Sequence, residues 1–127
     1  LKKPARKWNL RDRLRSFTYA FFGLKILLKT QHNSWIHLVV TGVVFAVGVL
    51  LRVSAIEWCV LTLAMASVWI TETLNTAIEF LTDLVSPEFH PIAGQVKDLA
   101  AAAVLISAVG AAIVGVILFL PRIIQLL

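Results

Sequence analysis

The stretch LAAAAVLISAVGAAIVGVILFL, residues 99–120, runs for 22 residues without a formal charge and stops at Pro121. At 1.5 Å per residue it spans about 33 Å, the thickness of a bilayer's hydrocarbon core. Two further segments follow the same logic upstream. Residues 35–51 carry no formal charge over 17 residues, with His37 near the start and Arg52 just beyond the end, about the minimum for a span. Residues 58–71 are apolar again, and Glu72 then interrupts them with no Gly or Pro to stop a helix. Helical periodicity therefore runs from about Ile56 to about Val85, roughly 45 Å. Arg52 to Glu57 reads as a short polar turn, and Ser86, Pro87, Pro91 and Gly94 mark a loop over about 86–96. The reading predicts an all-α integral membrane protein, with residues 31–127 forming a domain of three transmembrane helices at about 35–51, 57–81 and 98–120.

Composition supports this and excludes a soluble fold. Of 127 residues, 59% are hydrophobic and only 15% charged, too few to cover a water-facing surface. Nine of the twelve Lys and Arg lie in residues 1–30, beside the single acid Asp12. A basic arm before an apolar body is the pattern of a cytoplasmic, membrane-facing N-terminus rather than of a nucleic-acid binder. Leu10, Leu14, Phe17, Phe21, Leu24 and Leu28 recur at helical spacing, while Arg11, Arg13 and Arg15 fall mostly elsewhere. Residues 1–30 thus read as a basic arm leading into an amphipathic interfacial helix, its bases facing water and an anionic membrane surface. The basic stretch is longer than the n-region of a signal peptide and lacks a small-residue cleavage site, so no cleavable leader is expected. The basic arm places the N-terminus and the 86–96 loop in the cytoplasm.

Chemistry concentrates on the second span. Glu72, Asn75, Glu79 and Asp83 are separated by three, four and four residues, which puts them within an arc of about 80° on one helix. Ionisable groups at membrane depth are costly and mark functional sites more often than helix glue when several share a face. Lys97 and Asp98 stand where the third span is expected to begin, and a lysine beside a helix N-terminus suits a phosphate. Together the two groups offer what phosphoryl transfer requires: a base for an acceptor hydroxyl, an anionic ligand for Mg²⁺, and a cation for the phosphates.

The string ETLNTAIE (72–79), continued by Asp83 and Leu84, and the string VKDLAAAAVLI (96–106) resemble the signature of the prokaryotic diacylglycerol kinase family, which includes undecaprenol kinases. The similarity takes in Phe17 to Leu24 and the N-x-x-I-H stretch Asn33 to His37. It implies a homotrimer with active sites shared between neighbouring subunits, and ATP-dependent phosphorylation of a lipid alcohol, diacylglycerol or undecaprenol. By position, Glu72 is the catalytic base and Glu79 a metal ligand. Asn75, Glu79, Lys97 and Asp98 belong to the nucleotide site, with Glu88, Phe89 and His90 in the loop and Tyr19 and Gly23 on the surface helix.

One position departs from the family. Gln31 stands where an acidic second metal ligand is usual; an amide oxygen can ligate Mg²⁺ but brings no charge. That keeps a non-catalytic or degenerate kinase homologue open as an alternative, beside a proton-relay membrane subunit. The remaining residues read as packing. His32 and His37 are not at metal-pair spacing, the lone Cys59 sits in an apolar run, and Ala103, Ser107, Ala111 and Gly115 form a small-residue stripe for close helix contact. Trp35, Trp58 and Tyr19 suit interfacial anchors, and Trp69 a buried one.

Overall fold

The computed structural model describes residues 9–127. Lys2, Lys3, Arg6 and Lys7 of the expected basic arm lie outside the described residues. Four helices account for nearly all of the rest: α1 (Leu10–Thr30), α2 (His32–Leu50), α3 (Ala55–Val85) and α4 (Pro91–Leu126). The last three are long and apolar enough to cross a membrane. The described residues are therefore all-helical in their regular structure, with three candidate spans as the sequence predicts.

Local chemistry explains where each helix begins and ends. Asn9 caps α1, its side chain accepting from the N–H of Arg11 at 3.0 Å. Gln31 is the one non-helical residue between α1 and α2. Its N–H donates to Leu27 O at 2.9 Å, and its carbonyl accepts from the N–H and the hydroxyl of Ser34 at 3.2 and 2.6 Å. Ser34 is fully buried and Leu27 nearly so, which fixes the corner. Trp35 braces it from outside, its indole N–H donating to Leu28 O at 2.9 Å.

At the other end of α2, Arg52 takes the left-handed conformation (φ 50°). The N–H groups of Arg52 and Val53 return to Val49 O and Gly48 O, a Schellman closure. Ser54 then opens α3 with a capping box: its hydroxyl accepts from the Glu57 N–H, and the Glu57 carboxylate accepts from the Ser54 N–H at 2.7 Å. Glu57 thus belongs to the first turn of α3 and not to the preceding turn. Trp58 packs into the space left by Gly48 and stacks obliquely on Phe45, with ring centroids 5.3 Å apart.

The fourth helix departs most from expectation. It starts at Pro91 and not near residue 98, so the loop is only residues 86–90. Proline fits the first helical position, where its missing N–H would be unpaired anyway, and His90 caps it by accepting from the Ile92 N–H at 3.2 Å. The helix also runs through Pro121 to Leu126. Arg122 holds that last turn, donating to Leu118 O at 3.0 Å and to Glu57 on α3.

α3 and α4 form an antiparallel hairpin that carries most of the interhelical contact. Leu61, Val68, Ala100 and Val104 are buried there, and Thr71 and Ser107 share a 2.7 Å hydroxyl hydrogen bond across it. Of the small-residue stripe, Ser107, Ala111 and Gly115 are half-buried, but Ala103 is exposed and Val104 takes its place in the seam. The apolar face of α1 from Leu10 to Leu24 is exposed, and Leu27 is the residue of that helix that is buried.

Candidate active site

Two polar clusters occupy the loop-side half of the α3–α4 hairpin. The first is built on α3, where Glu72, Asn75 and Thr76 are buried. α2 and the α1–α2 corner reach across to it. Gln31 donates through Nε2 to Glu79 Oε2 at 3.1 Å, and Asn75 donates through Nδ2 to Glu79 Oε1 at 3.0 Å. Two turns earlier on α3, Asn33 donates to both oxygens of Glu72 at 3.4 and 3.5 Å. His37 Nε2 lies 3.8 Å from Glu72 Oε2 and 3.1 Å from Asn33 Nδ2.

The stripe on α3 therefore divides into separate environments. Glu72 is only 3% exposed and faces Asn33 and His37. Glu79 is half-buried and held between two amides. Asp83 is exposed and forms an ion pair with Lys97 of α4.

The second cluster surrounds that ion pair. Asp83, Ser86, Glu88, Phe89, His90 and Lys97 line a cleft of about 280 Å³ at the loop. Ser86 shapes the loop by donating to Glu88 O at 3.2 Å. Phe89 is almost fully exposed at its rim. Lys97 is the seventh residue of α4, so it does not sit at the helix N-terminus as the sequence suggested; Pro91 starts the helix early enough to move it up one full turn and more. A lysine in this position offers its ammonium alone, without the unpaired N–H groups of a helix start.

Gln31, Glu72, Asn75 and Glu79 are thus brought together, as are Glu88, Phe89, His90 and Lys97. Tyr19, Gly23 and Asp98 join neither cluster in the single chain. Tyr19 is 66% exposed, nothing approaches within 4 Å of a Cβ built on Gly23, and Asp98 is exposed. Asn33 and His37, which the sequence reading places in the family-like N-x-x-I-H stretch, are given no role at the site by it. Their spacing of four puts them on one face of α2, but which helix that face meets is set by the corner at Gln31.

The donor set around Glu79 fits Mg²⁺. Asn75 Oδ1 is buried and has no hydrogen-bond partner among the described residues, while the same amide's nitrogen holds Glu79. A carboxylate beside an amide oxygen with free lone pairs is a hard-oxygen pair of the kind Mg²⁺ takes, with phosphates and waters filling the octahedron. Among the described residues no three His, Cys, Asp or Glu side chains form a metal-holding group.

Residues 18–119 match the prokaryotic diacylglycerol kinase family. The chain belongs to that family. It is 37% identical to the undecaprenol kinase of Bacillus subtilis over 108 residues, covering 85% of this chain and 88% of the relative. It is 42% identical to the diacylglycerol kinase of Synechocystis sp. over 130 aligned positions, covering 99% of this chain and 74% of the relative. The diacylglycerol kinase of Escherichia coli is 41% identical over 68 residues, 54% of this chain and 56% of that protein. A member of the prokaryotic diacylglycerol kinase family is a lipid kinase, and kinase chemistry implies ATP as the phosphoryl donor. With its three apolar helices, this family member is an integral membrane protein. Every residue of both polar clusters lies within the matched region.

Proposed function

We propose that this chain transfers the γ-phosphoryl group of ATP to the hydroxyl of a membrane lipid alcohol, diacylglycerol or undecaprenol, with Glu72 as general base. The observation that carries the reading is the separation of two carboxylates that lie two turns apart on α3. Glu72 is sealed against α2, and Glu79 is clamped by amides on the side of the nucleotide cleft. A base and a metal ligand need such different surroundings. Mg²⁺ held by Glu79, with Gln31 and the Asn75 oxygen, would neutralise charge on the ATP phosphates. Lys97 meets the phosphates from α4, and Glu88, Phe89 and His90 hold the nucleotide in the loop cleft.

The chain works as a homotrimer in this reading. Tyr19, Gly23 and Asp98 stand apart from both clusters within one chain, and a neighbouring copy brings such residues to a shared site. The exposed apolar face of α1 rests on the bilayer with its bases toward anionic headgroups, which makes residues 1–30 an interfacial arm and 31–127 the membrane kinase domain. Nine bases in residues 1–30 put the N-terminus and the 86–90 loop on the cytoplasmic side of the bacterial inner membrane, where ATP is. A proton-relay role is disfavoured because it needs polar groups across the whole bilayer. Between Glu57 and Ser67, α3 offers only the exposed Thr62 as a hydroxyl.

The test is direct. Full-length protein in mixed micelles with γ-labelled ATP, Mg²⁺ and each lipid alcohol should yield labelled lipid. Glu72→Gln should abolish the label while keeping the helical circular-dichroism spectrum. No labelled lipid from either alcohol with the unmodified protein would falsify the kinase assignment of this site and leave a non-catalytic homologue.

A further inference from the structure

A carboxylate buried to 3% exposure needs hydrogen-bond donors or it loses more by desolvation than a helix can hold. α3 itself provides none for Glu72. The Asn75 amide nitrogen is committed to Glu79 at 3.0 Å, and the Thr76 hydroxyl donates to the backbone oxygen of Glu72 at 3.0 Å. The donor comes from α2: the Asn33 amide nitrogen reaches both carboxylate oxygens, and the His37 ring stands beside them without a hydrogen bond, its Nε2 3.8 Å from Oε2.

These contacts form an ordered set. Asn33 Nδ2 lies 3.1 Å from His37 Nε2, so with the ring proton on Nδ1 one amide group serves both neighbours. The ring is held edge-on by Trp69, centroids 6.3 Å apart at 67°. Trp69 is fixed in turn by its indole N–H donating to Thr41 Oγ1 at 3.0 Å, which returns to α2. The Asn33 contacts to Glu72 are long, and they orient the carboxylate while leaving lone pairs for an incoming hydroxyl.

We infer that Asn33 and His37 are positioning residues for this lipid kinase, fixing the Glu72 carboxylate at the angle from which it takes the proton of the lipid hydroxyl. The inference rests on Glu72 being the base. Neither residue touches the metal or nucleotide cluster: Asn33 and His37 contact Glu72, whereas Gln31 and Asn75 contact Glu79. Their loss should therefore appear in turnover and not in nucleotide binding.

The experiment compares Asn33→Ala, His37→Ala and His37→Gln with Glu72→Gln in the mixed-micelle assay. Misplacing a reacting group by about 1 Å costs on the order of a hundredfold in rate. Asn33→Ala and His37→Ala should each lower kcat by roughly ten- to a hundredfold, with KM for ATP and for lipid within about twofold of the unmodified protein. His37→Gln keeps an acceptor for Asn33 and should recover about tenfold of the loss. If Glu72→Gln is inactive while both alanine variants turn over at the normal rate, the positioning role is wrong and the base assignment stands. Equal damage to kcat and KM, with glutamine no better than alanine, reduces both residues to packing and also overturns the role. Normal turnover by Glu72→Gln removes the base and the inference with it.

Discussion

Arg122 grips Glu57 through two parallel 2.8 Å hydrogen bonds, at the end of the α3–α4 hairpin remote from the loop. The same carboxylate accepts from the Ser54 N–H, so one side chain starts α3 and ties it to the last turn of α4. Pro121 removes a backbone N–H next to that turn, which makes the side-chain anchor the stronger hold there. Arg122→Ala should lower the thermal unfolding midpoint in detergent micelles, followed by circular dichroism, while lipid phosphorylation measured below the transition is retained. Glu57→Gln should do the same, and the double variant should unfold no earlier than the weaker single variant. Additive losses would show that the two residues act independently.

Gln31 donates its amide to Glu79. Gln31→Glu replaces that donor with a second carboxylate about 3 Å from the first, which repels without a cation and binds with one. Lipid phosphorylation by this variant should saturate at a lower Mg²⁺ concentration than the unmodified protein requires. Its unfolding midpoint should also become dependent on Mg²⁺. An unchanged Mg²⁺ titration counts against Gln31 lying in the metal shell.

Lys97 is paired with Asp83. If its ammonium serves ATP, Lys97→Ala should raise KM for ATP about tenfold, ~1.4 kcal/mol of binding. Asp83→Asn frees the lysine and should leave that KM equal or lower. Should both variants raise KM to the same extent, the pair is a brace between helices and another cation handles the phosphates.

Gly48 lets α2 and α3 approach. A Cβ there would stand 2.7 Å from Trp58 Cη2 and 2.9 Å from Cζ2, closer than carbon atoms pack. Gly48→Ala should destabilise the protein by about 1–3 kcal/mol, read from unfolding in a graded denaturing detergent. Combining it with Trp58→Phe, which removes the clashing ring atoms, should restore part of the loss.

Much of the fold is legible in the sequence, and the exceptions are physical. The run from Ile56 to Val85 is readable because nothing breaks it, and the structure gives Ala55–Val85. The beginning of α4 is not, because Pro91 and Gly94 read as loop residues while in the first turn of a helix both are tolerated. Pro121 misleads in the opposite direction, since it marks a stop unless a side chain such as Arg122 secures the turn beyond it. The face shared by Glu72, Asn75 and Glu79 follows from their spacing alone. That Glu72 and Glu79 have different partners does not, because spacing along α3 says nothing about which residues of α2 come opposite. Asn33 and His37 acquire their place only once the α1–α2 corner is folded.

That corner has one residue and no slack. Gln31 is at once the hinge pin, the cap of both helices and the side chain that touches Glu79. Since each residue turns a helix by about 100°, one residue added or removed at position 31 would swing Asn33 and His37 off α3 and carry apolar residues of α2 in their place. The corner behaves as an indexing tooth: it sets the rotational phase of α2, and this chain can change the length of its linker there only by losing the alignment of its polar site.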